Sequence, residues 1–200
     1  MTTWVESPRG GRDRGPRGLA RAWVEVLVRP RRFFRNGVAP GDQAPGLAFA
    51  VAVALAYVGT LLGSGAAAVP ETLPVVGGAG LLATAFVVLA VALVVAPGTL
   101  HLVAALQTLL LLLVVPDRAG VSETVQTVAY ATAPCAVAGL PVPELRAACA
   151  LYGAGLLVVG LAAVHGTSLV RAAVAGALPA AFVFGYAFGG LRALRVVVGW

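Results

Sequence analysis

Charged residues are scarce over most of this sequence. Between positions 45 and 190 only seven occur: Glu71, Asp117, Arg118, Glu123, Glu144, Arg146 and Arg171. A soluble domain of this size needs far more charge on its surface. Ala, Val, Leu and Gly fill the stretch in runs long enough to cross a bilayer several times. The sequence therefore predicts an all-α integral membrane protein and excludes a soluble fold.

Signatures of catalysis and metal binding are also missing. The sequence has no HExxH, GxSxG or GxxxxGK[ST] pattern. Cys135 and Cys149 lie in apolar stretches without CxxC spacing, which is typical of buried thiols. His101 and His165 have no carboxylate at helical spacing that could complete a metal site or a proton relay. We therefore expect no enzymatic activity, no cofactor and no metal ion.

Lysine and isoleucine are absent, and arginine supplies all 14 basic residues. Nine of these arginines lie in the first 45 positions, beside four acidic residues. A basic segment next to a hydrophobic block is typical of a cytoplasmic, membrane-facing region and not of nucleic-acid binding. This bias predicts a multi-pass protein of the cell membrane with a cytoplasmic N-terminus. The residue usage favours a GC-rich prokaryotic genome, such as that of a haloarchaeon or an actinobacterium.

The N-terminal region divides into two parts. Residues 1–18 are rich in Arg, Gly and Pro and are predicted to be a disordered basic tail. Residues 19–45 combine apolar positions at helical spacing with a turn-rich linker, which predicts a cytoplasmic amphipathic helix lying in the lipid headgroup plane. Its aromatic rings are expected to enter the bilayer and its arginines to contact lipid phosphates. The residues expected at this membrane surface are Trp23, Arg29, Arg31, Arg32, Phe33 and Phe34. The alternative is a helix that packs on the protein's own cytoplasmic loops.

Residues 46–191 are predicted to form a bundle of five transmembrane helices. The expected spans are about 46–62, 79–96, 123–139, 144–164 and 168–190. The apolar stretch 99–115 is expected to continue the second span as one kinked helix, because Pro97 and Gly98 leave little room for a reversal. A six-span bundle is the alternative, since five spans place Arg192 and Arg195 of the short tail 192–200 on the outer side.

Two pairs of small residues predict close helix packing. They are Gly59 with Gly63, and Gly185 with Gly189, the second pair ending a row with four-residue spacing that includes Ala181. Small side chains let a second helix backbone approach closely. That second helix belongs either to the same chain or to another copy, so a homo-oligomer remains open.

A polar group lies within the predicted third span. Glu123, Gln126, Thr127 and Tyr130 follow helical spacing along one face, and His165 precedes the turn before the last span. One interpretation is a cytoplasm-facing groove that binds a partner or ligand. The other is a set of hydrogen bonds between neighbouring spans.

Residues 127–134 (TVAYATAP) combine an aliphatic run, an Ala-Tyr pair and a proline four positions after the tyrosine. A turn with Pro141 follows, and then Tyr152 at the start of the next span. Together with His165 and Arg171 further on, this order resembles the prokaryotic branch of the Yip family of membrane proteins. Two upstream stretches, 29–34 and 100–102, also resemble that family. Residues 109–115 depart from it, because they are apolar where the family has a Gly pair and a polar stretch.

The resemblance implies a five-helix membrane protein with a cytosolic N-terminus and a non-enzymatic role. Eukaryotic relatives bind small prenylated GTPases, a pathway that prokaryotes lack. What carries over to this chain is membrane organisation or the recruitment of an unidentified protein partner. A small transporter or channel subunit is the alternative function.

Overall fold

The computed structural model describes residues 15–64 and 80–200, and this part of the chain contains helices and no strands. The first 14 positions of the predicted tail and nearly all of the connection between the first two predicted spans lie outside the described residues. The helices are α1 (Gly15–Val28), α2 (Pro30–Asn36), α3 (Ala44–Gly63), α4 (Gly80–Ala90), α5 (Ala96–Val114), α6 (Val121–Ala131), α7 (Pro143–Val164), α8 (Leu169–Ala180) and α9 (Gly190–Val198). The last four residues of the predicted tail therefore belong to α1, and most of the predicted C-terminal tail belongs to α9.

Among the described residues, four helices are long and apolar enough to cross a membrane. They are Ala44–Gly63, Thr84–Val114, Pro143–Val164 and Leu169–Ala187. The second has the most exposed apolar surface, with Leu102 at 75% and Leu113 at 80% exposure. Such a contiguous apolar face requires hydrocarbon and not water around it. The chain is therefore built as a membrane protein, as predicted.

The second predicted span and the apolar stretch after it form one continuous helix, whose candidate membrane-crossing part, Thr84–Val114, has 31 residues. A π-helical segment, Val91–Val95, joins α4 to α5 directly before Pro97. Proline has no N–H to donate, so the backbone ladder must be interrupted near it. There is no reversal at Pro97 and Gly98, which agrees with the favoured arrangement. At ~1.5 Å per residue these 31 residues alone are about 46 Å long, which exceeds the ~30 Å of the hydrocarbon layer.

The third predicted span is not one regular α-helix. α6 has 11 residues and is followed by a 3₁₀ segment, Ala133–Val137. The α-helical ladder ends because Pro134 cannot donate a backbone hydrogen bond. Every residue of α6 from Thr124 to Ala131 is buried, and the helix packs against α3, α5 and α7. The segment therefore forms the centre of the bundle.

This central segment follows α3 along nearly its whole length. Gly46, near the start of α3, packs directly on Gln126. Further along, the rings of Phe49 and Tyr130 meet at 5.0 Å between centroids. At the other end Gly139 lies against Tyr57 and Thr60, where an added Cβ would clash. The two segments are therefore parallel neighbours from end to end.

A second proline interrupts the last long helix. Pro179 has no N–H, so the carbonyl of Ala175 four residues earlier loses its helical partner. The fully buried Gln107 of α5 supplies a replacement, since its Nε2 donates to the Ala175 oxygen at 3.0 Å. Beyond Pro179 the chain continues as a π-helical segment, Ala181–Ala187. Gln107 thus compensates for a break in a helix 68 positions away.

We expect Gln107→Leu to lower the free energy of unfolding by about 1 kcal/mol, because it leaves the Ala175 carbonyl unsatisfied in an apolar region. Pro179→Ala restores the backbone N–H at position 179, which can then bond the Ala175 carbonyl. In this background Gln107→Leu should lower the free energy of unfolding clearly less. Apparent unfolding temperatures of the four proteins in one detergent would measure the difference. Equal costs in both backgrounds would contradict the compensation.

Candidate functional site

The N-terminal helices are fixed to the bundle by three hydrogen-bonding side chains. Trp23 Nε1 donates to the Ala133 carbonyl at 2.7 Å, and the hydroxyl of Tyr152 donates to the carbonyl of Leu27. The side-chain amide of Gln126 both accepts a hydrogen bond from and donates one to Ala39 in the linker after α2. Its Oε1 accepts from Ala39 N at 3.1 Å, and its Nε2 donates to Ala39 O at 2.7 Å. The α1–α2 unit is therefore an integral layer of the protein.

The expectation that Phe33 and Phe34 enter lipid is wrong, because both side chains lie inside the protein and are 1% exposed. The ring of Phe33 packs edge-on against Tyr130 at 4.8 Å. Phe34 lies against Gly160 of α7, where an added Cβ would be 2.9 Å from its ring. The absence of a side chain at Gly160 opens the crevice that receives α2. The alternative, packing on the protein's own cytoplasmic loops, does not describe these rings either, because Tyr130 and Gly160 belong to the helices α6 and α7.

The charged side of α2 points the other way. Arg29, Arg31, Arg32 and Arg35 are all exposed, and no acidic side chain in the described residues forms an ion pair with them. The first three, with Pro30, also line a shallow depression closed on one side by Val159 of α7. The result is a set of four guanidinium groups, here called the α2 arginines, on a helix whose opposite side is locked in the core.

The polar group predicted on α6 is used for contacts within the chain. Gln126 holds the linker, and Thr127 Oγ1 donates to the Glu123 carbonyl at 2.7 Å. Tyr130 is fully buried between the rings of Phe33 and Phe49. Glu123 is partly exposed, with its carboxylate beside Gly120 in the first turn of α6. In these positions Gln126 and Thr127 serve as internal hydrogen-bonding groups.

His165, predicted together with the α6 group, belongs to a further polar group whose other members the sequence pattern missed. It is 3% exposed, and its Nε2 lies 3.5 Å from Thr124 Oγ1. Burial first, and the nearby Arg118 second, lower the pKa of His165 from 6.5 to about 4. Its Nδ1, the hydroxyls of Ser122 and Thr167 and the Nε of Arg118 are buried without a hydrogen-bond partner in the described residues. This cluster joins the α5–α6 turn to the α7–α8 turn, which a single sequence could not reveal.

The small-residue pairs have different environments. Near Gly59 and Gly63 no atom of the described residues lies within 4 Å of an added Cβ. Ala181 is exposed and Gly185 packs on Leu191 of α9. Gly189 does not continue the row, because it adopts a left-handed conformation (φ +69°) in the turn before α9. The predicted packing face at Gly185 and Gly189 is therefore wrong in its geometry, since the row assumes regular α-helical pitch and the chain is π-helical there.

No cluster of three or more His, Cys, Asp or Glu side chains in the described part of the chain could hold a metal ion. An all-helical chain with four long apolar helices and a buried central segment defines an integral membrane protein. The family model of the Yip1 domain matches residues 24–191. The chain therefore belongs to the Yip family, as the motif around Tyr130 indicated. No curated protein and no solved structure matches it significantly.

We expect acid to destabilise the protein through His165. The folded state holds this imidazole neutral down to pH ~4, whereas the unfolded state binds its proton below pH ~6.5. Stability is therefore lost as the pH falls through this window, by at most about 3 kcal/mol. The apparent unfolding temperature, measured between pH 7.5 and 4.5, should fall less for His165→Gln than for the wild type. His101→Gln, on an exposed face, is the matched control, and parallel curves for all three proteins would contradict the assignment.

Proposed function

We propose that this Yip family protein is a non-enzymatic membrane organiser that holds anionic lipid headgroups at its cytoplasmic end. The observation that carries the proposal is the two-sided structure of α2. Its aromatic rings are buried against Tyr130 of α6 and Gly160 of α7, and the α2 arginines on the opposite side are exposed. A basic surface fixed to a membrane bundle in this way is suited to the phosphates of the adjoining leaflet.

Rigidity supports this role. Arginine side chains on a flexible tail lose conformational freedom when they bind, which lowers affinity. Here the backbone of α2 is already ordered by Phe33, Phe34 and the Gln126–Ala39 bonds. Each guanidinium near an anionic surface contributes about 1 kcal/mol at moderate salt. Two or three such contacts are enough to enrich anionic lipid around the protein.

The finer topology is part of the same proposal. α6 and the 3₁₀ segment together rise about 27 Å, at ~1.5 Å and ~2.0 Å per residue respectively. That length approaches the ~30 Å of the hydrocarbon layer. The parallel packing on α3 supports a fifth crossing that neighbouring helices shield from lipid. With the N-terminus in the cytoplasm, five crossings place the end of the chain outside.

A reporter fused after Trp200 should therefore be on the outer side of the membrane. Alkaline phosphatase should be active and a cytoplasmic fluorescent protein dark at this position. A matched reporter inserted between Asp117 and Arg118 should give the opposite pair of signals, because that turn precedes α6 on the cytoplasmic side. Fluorescence at both positions would contradict five crossings and favour an even number.

The lipid-binding role is tested by Arg31→Gln with Arg32→Gln in proteoliposomes of mixed phosphatidylglycerol and phosphatidylcholine. We expect the enrichment of phosphatidylglycerol around the protein to fall about thirtyfold, as two lost contacts of ~1 kcal/mol imply. Electron spin resonance of headgroup-matched spin-labelled lipids would measure it. Because the contacts are electrostatic, high salt should abolish the wild-type enrichment as well.

The matched control is Arg192→Gln with Arg195→Gln, two exposed arginines on α9. This pair should leave the enrichment at the α2 end unchanged. Unchanged enrichment in the α2 variant would contradict lipid binding by these arginines. A protein partner would then be the remaining explanation for an exposed basic helix.

A further inference from the structure

An apolar groove lies inside the bundle, away from the α2 arginines. It has a volume of about 190 Å³ and runs between α3, the π-helical segment Val91–Val95 and the π-helical segment Ala181–Ala187. At ~30 Å³ for a water-sized group, the volume holds about six such groups in a row. Its walls are almost wholly apolar, with Ala54 and Val58 on α3 and Val183 on the opposite side.

The groove opens into the bilayer. Its lining residues belong to three of the four candidate membrane spans. At its rim Val95 is 54% exposed and Ala187 is also exposed. Both rim residues belong to π-helical segments, whose wider turns are frequent at functional sites. A chain entering through this opening comes from hydrocarbon and not from water.

One end of the groove is polar. Tyr57 and Phe188 close it, with their rings in edge-to-face contact at 5.1 Å. Arg146 lies behind them, and both its Nη1 and the Tyr57 hydroxyl are within 4 Å of where a Cβ on Gly189 would stand. Glycine at position 189 therefore leaves space between the cation and the hydroxyl.

Two of the three guanidinium nitrogens of Arg146 donate hydrogen bonds within the described residues, and the third does not. Its Nε donates to the Ala138 carbonyl at 2.7 Å, and its Nη2 is 3.4 Å from the Leu140 carbonyl. These bonds fix the guanidinium in place. Within the described residues Nη1 makes no hydrogen bond, and it faces the side on which the groove ends. A fixed cation beside a phenol is a ready site for an anionic oxygen.

We propose that the groove binds one acyl chain of an anionic phospholipid, whose phosphate is held by Arg146 and Tyr57. The apolar walls hold the acyl chain because the groove is preformed and dry. The methylene groups of the chain contact apolar side chains there, and they displace neither water nor polar groups. The charge of Arg146 at the closed polar end selects the anionic headgroup over a zwitterionic one. This site is separate from the α2 arginines, which lie near the Gln126 end of α3, whereas Tyr57 is near its other end.

Photoactivatable phosphatidylglycerol with a diazirine in the middle of one acyl chain tests the chain site. In proteoliposomes of the full-length wild type, we expect crosslinks to peptides of α3 and of Ala96–Val114. Ala54→Phe, which fills the groove, should abolish most of this labelling, because its ring occupies the space that the chain would take. Ala56→Phe makes the same change on the exposed side of α3 and should label like the wild type.

Ala96→Leu narrows the groove from its other wall and should act like Ala54→Phe if the latter fails to fold. Undiminished labelling of these peptides in a folded groove variant would overturn the chain site. Arg31→Gln with Arg32→Gln should leave the labelling unchanged, so failure of the proposed function and failure of this inference are distinguishable.

The headgroup contact has its own test. Tyr57→Phe removes the hydroxyl and keeps the ring contact with Phe188. We expect this variant to crosslink less to the phosphatidylglycerol probe than the wild type does, because the phosphate loses one hydrogen-bond donor. In competition with phosphatidylcholine, the wild type should prefer the anionic probe, because Arg146 repels the choline cation. Equal labelling of the wild type and the variant by the phosphatidylglycerol probe would overturn the assignment of the phosphate to Arg146 and Tyr57.

Discussion

Every backbone carbonyl and N–H in this bundle needs a hydrogen-bond partner, because surrounding hydrocarbon supplies none and each unsatisfied group costs several kcal/mol. The chain nevertheless interrupts its helices with Pro97, Pro134 and Pro179. Side chains repair several of these breaks and turns. Gln107 reaches the carbonyl freed by Pro179, Trp23 reaches Ala133 in the 3₁₀ segment, and Arg146 reaches the turn that follows it. The long-range polar contacts of the fold are therefore dictated by where the backbone is broken.

This requirement leaves few polar groups for other tasks. Gln107 and Gln126 are buried and hydrogen-bonded, so they stabilise the bundle. Within the described residues, unused hydrogen-bonding capacity remains at the α2 arginines, at the third nitrogen of Arg146, in the cluster around His165 and at Oε1 of Gln107. Binding to anything other than the protein itself is most plausible where such capacity is left over. The two proposed lipid contacts use the first two of these places.

Hydropathy gave the membrane class and the limits of the most regular helices, with 46–62 expected and Ala44–Gly63 found for α3. It could not decide what covers an apolar face. The spacing of Phe33 and Phe34 marks an apolar side of α2, yet lipid and protein satisfy that side equally well, and only Gly160 on a distant helix decides between them.

The predicted packing face of small residues that ends at Gly189 was wrong for another reason. Four-residue spacing keeps one face only at α-helical pitch, and the π-helical segment changes that pitch. The cluster around His165 was missed because it joins two turns far apart in sequence.

The arrangement along α3 links the two ends of the molecule. Near its start, Gly46 packs on Gln126, which fixes the linker of α2 through Ala39. Tyr57 lies 11 residues further on, a distance of about 17 Å along the helix axis. α3 as a whole has 20 residues and a length of about 30 Å, enough to reach from one leaflet to the other. Arg146 lies beside its second half, so we expect the α2 arginines and Arg146 to meet different sets of headgroups. Because α2 is locked by two buried rings and Arg146 by two carbonyls, neither cation has to be ordered when a lipid arrives, and binding loses little conformational entropy. Under the two proposals, fixed charges at both ends of one rigid bundle would select lipids in both leaflets without any change in the fold.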